Sequence, residues 1–148
     1  MTPSEPTADR AWRSFIRAKA EVRRTIHREL RDRGLTGAQL DILRVLAESG
    51  PEGVKLNEIS QRLFVTSGNV TGLIDRLEEA GHIARLPHPE DRRITLAVLT
   101  PAGRELFEQL HPAHVARVKD LMAALAPEEQ ALLSDLLERL ADRARQIR

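Results

Sequence analysis

Between residues 9 and 33 apolar side chains recur at Phe15, Ala18, Val22, Ile26 and Leu30, a spacing of three or four that predicts one face of a long first helix ended near Gly34. At about 1.5 Å per residue this helix would extend roughly 37 Å, more than a compact domain buries by itself, so part of its stripe is expected to meet a second chain or a distant helix. In LTGAQLDILRVL, Thr36 and Gln39 have capping-box spacing, and Leu40, Leu43 and Leu46 turn inward until Gly50-Pro51. KLNEISQRLFV places Leu56, Ile59 and Leu63 on one face of a short third helix. The fourth, TSGNVTGLIDRLEEAG, carries Val70, Leu73, Ile74 and Leu77 as its apolar stripe, with Thr66 as cap and Gly81 as stop.

The period then changes from helical to alternating. His82 to His88 and Ile94 to Thr100 read as the two strands of a hairpin with PEDRR at its tip. Thr100-Pro101 restarts a helix, in which Pro112 predicts a kink. Pro127-Glu128-Glu129 opens a last helix whose Leu132, Leu133, Leu136, Leu137 and Leu140 form a broad apolar face.

The two glycines of the fourth helix, Gly68 and Gly72, each cost on the order of 1 kcal/mol relative to alanine. At 100° per residue they lie opposite the apolar stripe, with Asp75 and Glu79. Bare backbone on the outer face of the second helix of a helix-turn-helix allows close approach to the major groove of DNA, with Ser67, Asn69 and Thr71 beside it to bond base edges or phosphates. Thr66 and Arg76 are candidates for contacts to the DNA backbone, and the helix N-terminus favours a phosphate. At the hairpin tip Arg92 and Arg93 can enter the narrow minor groove, with Asp91 orienting Arg93 rather than repelling phosphate.

Charge adds an asymmetry to a chain whose net charge is only +1. Residues 9–33 hold nine Lys/Arg against four Asp/Glu, and residues 34–81 hold four against seven. The 148 residues are the length of one ordinary domain, and the absence of cysteine removes disulfides, thiolate nucleophiles and Cys-ligated zinc. No signal-peptide core and no run of roughly 18 apolar residues occurs, so the expectation is a soluble, cytoplasmic protein with a disordered leader at residues 1–8 and no membrane partner.

Catalysis has no visible apparatus: no serine sits in a nucleophile elbow, no glycine-rich phosphate loop precedes a helix, and the carboxylates are scattered. His111 and His114 have a spacing that brings two ligands near one turn of helix, but Pro112 distorts that turn and no carboxylate completes a metal set, so neither metal nor cofactor is expected. Trp12 and Phe15, two of four aromatic residues, are candidates with His27 for lining a small-molecule pocket.

The motifs LTGAQLDILRVL, TSGNVTGLIDRLEEAGHIAR and PEDRRITLAVLTPAG together resemble the MarR family of bacterial winged helix-turn-helix regulators from about residue 9 onward, most specifically in the D-x-R and L-T-x-x-G of the hairpin segment. The resemblance implies a mainly α fold with a small β-hairpin wing. In it residues 9–33 and 101–148 form a helical dimerisation region, and residues 35–100 form the winged helix-turn-helix lobe. It further implies a homodimer on a palindromic double-stranded operator, repressing until a small, often aromatic and anionic effector releases the DNA. By position it assigns Ser67, Gly68, Asn69 and Thr71 to the major groove, Arg76 to a phosphate, and Asp91 with Arg93 to the wing. The sequence departs from the family at Gly72, where many relatives carry a longer polar or basic side chain, and at Ile94, where a small residue is common. Two other readings fit the same residues: a winged-helix protein-interaction module that does not bind DNA, and a metal-responsive sensor using His111 and His114.

Overall fold

The computed structural model describes residues 7–63 and 67–147. The expected leader at 1–8 thus falls mostly outside the described residues, as does the cap expected at Thr66, while Thr7 and Ala8 already belong to the first helix. In chain order the elements are α1 (Thr7–Arg31), α2 (Gly37–Ser49), β1 (Val54–Lys55), α3 (Leu56–Leu63), α4 (Ser67–Glu79), β2 (Ile83–Pro87), β3 (Thr95–Leu99), α5 (Pro101–Met122) and α6 (Pro127–Gln146). They divide into two compact units, residues 1–113 and 114–148, with the boundary inside α5.

In the first unit α2, α3 and α4 pack on one another and on the sheet. The entry to α2 is the expected capping box: Gln39 N donates to Thr36 Oγ1 at 3.2 Å, and Thr36 N donates to Gln39 Oε1 at 2.9 Å. Ile42, Leu43, Leu46, Ile59, Ile74 and Leu77 fill the core at essentially zero exposure. Burying side chains of this size contributes on the order of 1.5–3 kcal/mol each before the entropy of ordering them is charged. Only the C-terminal end of α1 shares that core, through Ile26 and Leu30; Trp12, Ile16 and Val22 on the same helix are exposed.

The sheet has three strands in the order β1-β3-β2, all antiparallel. Ile83 faces Leu99 and Pro87 faces Thr95 in the hairpin, one residue inside each end of the alternating segments. The short β1, which pairs Val54 with Ala97, is an addition to the expected hairpin. Gly53 makes that pairing possible: its φ is +83°, and a Cβ there would stand 2.7 Å from Val98 Cγ1 and 2.9 Å from the Ala97 carbonyl oxygen.

From the sheet the chain turns into α5 at Thr100, whose hydroxyl accepts from Gly103 N at 3.0 Å and donates to the Gly81 carbonyl at 2.6 Å. Gly103 lies so close to the preceding loop that a Cβ would come within 1.8 Å of the His82 carbonyl oxygen. The L-T-x-x-G motif is therefore a packing requirement. Pro112, where a kink was expected, is internal to α5.

In the second unit Gln130 Nε2 donates to the carbonyls of Met122 and Leu125, both at 3.0 Å, and Ala126 N donates to Glu129 Oε2 at 2.8 Å, which together close the turn into α6. No described residue of α6 is buried; Leu132, at 58%, is the most exposed of a leucine face that includes Leu136, Leu137 and Leu140. No helix among the described residues is long and apolar enough to cross a membrane.

Candidate nucleic-acid interface

The stripe of α4 is buried as its spacing predicts, with Val70, Leu73, Ile74 and Leu77 all in the core. The opposite face is open. Gly68 and Gly72 are exposed, and a Cβ built on either meets no atom within 4 Å. Neither glycine is required by packing or by backbone conformation inside this chain, so the stability they forgo is not returned within the fold. Asn69, Thr71 and Arg76 are exposed on the same helix. Ser67 begins the helix.

The hairpin tip is ordered by its own residues. Arg93 donates to the Asp91 carboxylate three times, from its backbone N and Nε to Oδ1, both at 3.0 Å, and from Nη2 to Oδ2 at 2.9 Å. The guanidinium is still 90% exposed. Asp91 therefore removes rotamer freedom from Arg93 without burying it, which lowers the entropy lost on entering a groove. The paired guanidinium holds the Asp91 carboxyl below the usual carboxylate range, with help from the Arg93 N–H and from the nearby His88 and Lys55. Glu90 N donates to His88 Nδ1 at 3.2 Å and Ile94 N to the Asp91 carbonyl at 3.0 Å, completing the turn. Arg92 projects beside it, exposed.

One functional feature was not anticipated from the sequence. Arg85 on β2 reaches across to α4, its Nη1 to the Glu78 carboxylate and its Nη2 to the Asp75 carboxylate, while its backbone N donates to Glu78 Oε1 at 3.2 Å. The hydrogen bond to Asp75 is the largest of several influences that raise the Arg85 pKa further above its usual value. Asp75, on the outward face of α4, is thereby paired with a cation of the wing. The only sequence signal was a lone arginine alternating with Ile83 in a strand otherwise suited to a core. Its partners lie seven and ten residues earlier, across a turn, where no helical or strand period connects them.

Within one chain Trp12, Phe15 and His27 do not form one cluster. Trp12 and Phe15 stand together, ring centroids 5.8 Å apart, whereas His27 is twelve residues past Phe15, about 18 Å along the same helix, on an exposed basic surface of α1 with Arg23, Arg24, Arg28 and Arg31. The His111 ring stacks on Phe107 with centroids 4.7 Å apart. Among the described residues no group of three or more His, Cys, Asp or Glu side chains is placed to hold a metal ion.

The same arrangement occurs in known proteins. The MarR family model matches residues 33–94, from the end of α1 to the wing tip. The HTH-type transcriptional regulator YkoM of Bacillus subtilis is 35% identical over 128 residues, covering 86% of this chain and 82% of the relative. The crystal structure of Sco3205, a MarR family transcriptional regulator from Streptomyces coelicolor in complex with DNA, superposes with a TM-score of 0.86 at 30% identity, over 95% of this chain and 90% of that one. BpsR of Bordetella bronchiseptica, whose structure addresses regulation of DNA binding by 6-hydroxynicotinic acid, superposes with a TM-score of 0.84 at 26% identity, over 94% and 98% of the two chains. With a helix-turn-helix whose outer face is bare, a wing tipped by arginine, and these relatives across nearly its whole length, the chain belongs to the MarR family of DNA-binding transcriptional regulators and is not an enzyme.

Proposed function

We propose that the protein acts in the cytoplasm as a homodimeric repressor of its own or neighbouring genes, bound to a palindromic operator and released by a small anionic effector. The observation that carries this reading is the open, outward glycine face of α4, joined in the same unit by the exposed, Asp91-ordered Arg93. Gly68, Asn69, Thr71 and Gly72 lie against base edges in the major groove, with Ser67 at the helix entry. Thr66 and Arg76 contact the sugar-phosphate backbone, and Arg92 and Arg93 reach the minor groove beside it. A symmetric dimer presents two such lobes to two half-sites, so the operator shares its two-fold symmetry.

The exposed apolar residues of α1 and the leucine face of α6 support the dimer. Each is an exposed amphipathic stripe among the described residues, and apolar surface of this kind is rarely left in water. An anionic effector is favoured by the basic surface of α1 around His27, where the flanking Arg23, Arg28 and Arg31 offer charge-assisted hydrogen bonds. The Trp12–Phe15 pair offers the aromatic surface, and because it lies too far from His27 for one small molecule to span within a chain, the two ends can share an effector only if a second chain brings them together.

The test is fluorescence anisotropy of the purified protein on duplex DNA from upstream of its own gene against a scrambled duplex, across a salt series. Tight, selective binding at one dimer per site, weakened by a titrated aromatic carboxylate, is the expected result. Equal weak binding to both duplexes refutes autoregulation at that site and favours the protein-interaction reading.

A further inference from the structure

The strand β2 is an edge of the sheet, and on its outward side a side chain of α4, rather than another strand, takes the Arg85 N–H. Because His88 N donates to the Ile94 carbonyl at 2.9 Å and Thr100 N donates to the His82 carbonyl at 3.1 Å, the even-numbered residues of the hairpin's first arm turn their backbone groups toward β3. The odd-numbered ones, Ile83, Arg85 and Pro87, turn theirs away. Pro87 has no N–H to offer, and that of Arg85 is taken by Glu78. The Arg85 guanidinium then forks between Glu78 and Asp75, so that one residue of the wing makes three polar contacts with two residues of α4. Asp75 lies three residues beyond Gly72 on the outward side of the helix, where an uncompensated carboxylate would add repulsion toward an approaching polyanion.

We infer that Arg85 is a positioning residue for operator recognition: it fixes the wing relative to α4 and neutralises Asp75, so that the recognition helix and Arg93 engage DNA in one geometry. It rests on the DNA-binding reading above and adds to it a residue that does not itself touch DNA. A forked guanidinium with both arms occupied constrains direction as well as distance, which an ammonium does not. The binding energy of Arg93 is thereby made dependent on a residue eight positions earlier.

The experiment uses the full-length protein and a duplex that it enriches from a random-sequence library, with the scrambled duplex as control. Arg85→Met, Arg85→Lys and Arg93→Ala are compared singly, and Arg93→Ala is repeated in the Arg85→Met background; thermal melting verifies that each variant is folded. The expected result is that Arg85→Met reduces the ratio of specific to scrambled binding roughly tenfold or more, Arg85→Lys reduces it nearly as far, and Arg93→Ala costs less than about threefold once Arg85 is gone. Melting alone would not produce that loss of coupling. The double variant Arg85→Met, Asp75→Asn restores the net charge of the cluster without the fork, and is expected to recover binding to the scrambled duplex but not the ratio. Full additivity of Arg85→Met with Arg93→Ala, or a wild-type ratio in Arg85→Lys, overturns the positioning role. Should Arg85→Met fail to fold, Arg85→Lys with Arg93→Ala completes the same cycle. A library from which the wild-type protein enriches nothing refutes the DNA-binding reading itself, an outcome separate from any result with the Arg85 variants.

Discussion

Replacing Gly72 by leucine should move stability and function in opposite directions, and the structure supplies both magnitudes. A Cβ at this position meets nothing within 4 Å and the residue is exposed, so the larger side chain extends into solvent without displacing anything. The substitution then recovers most of the helix propensity that glycine forgoes, roughly 0.5–1 kcal/mol, which in a chain of this length raises the melting temperature by about 1–4 °C. On the DNA side the four added carbons occupy the space through which α4 approaches the groove. Backing the helix out loses base-edge contacts worth about 1–3 kcal/mol each, a tenfold to hundredfold loss on the specific duplex, while phosphate-driven binding to a scrambled duplex changes little. Gly72→Ala adds one methyl group and should gain similar stability with a smaller loss of affinity. Thermal melting and anisotropy on both duplexes read these quantities separately. A more stable Gly72→Leu protein with unchanged operator affinity would show that the open glycine face is not where DNA sits.

Gly103→Ala should behave in the opposite sense to Gly72→Ala, because its Cβ would lie 1.8 Å from the His82 carbonyl oxygen and backbone has to move; a loss of roughly 2 kcal/mol or more in urea unfolding is expected, and an unchanged midpoint would show that the loop yields freely. Arg93→Ala should weaken binding and reduce the slope of log K against log salt by about one, with wild-type melting; an unchanged slope would remove the wing from the DNA contact. The Asp91 carboxyl is held below its unfolded value near 3.9, so the order it gives the hairpin tip is present above that value and is lost only as pH falls through the lower folded one. Nuclear magnetic resonance of the Arg93 Nε–H across that range reads it, and loss of the ordered signal above pH 5 would contradict the Asp91–Arg93 geometry. Leu136→Glu on the exposed face of α6 should shift the protein toward monomer in sedimentation equilibrium and weaken operator binding through the lost second half-site; an unaltered dimer would place the interface elsewhere.

Much of the architecture was legible in the sequence because it depends on local periodicity. The α4 stripe, the Thr36–Gln39 box, the two hairpin arms and the Pro127 start of α6 are each set by residues within a few positions of one another, where spacing alone decides which face turns inward. The outward glycines were visible in the same way, by angle from the buried stripe. The Asp91–Arg93 pairing was visible because two residues apart in a tight turn is within reach of a fork.

The remainder required the chain to be folded. Two-residue β1 has no period to read, and it exists because Gly53 lets Val54 come alongside Ala97, more than forty positions away. Trp12 and His27 are both on α1 and both plausible pocket residues, but helix rise separates them beyond the reach of one ligand. Nor does the spacing of residues along the chain connect Arg85 to Asp75 and Glu78. The sequence by itself determined which helix faces outward and which residues tip the wing, since those follow from short-range pattern. Only the tertiary structure decided that the wing is fastened to α4 and that the outward carboxylate of Asp75 is neutralised, because that contact forms between elements whose relative position is set by the shared core beneath them.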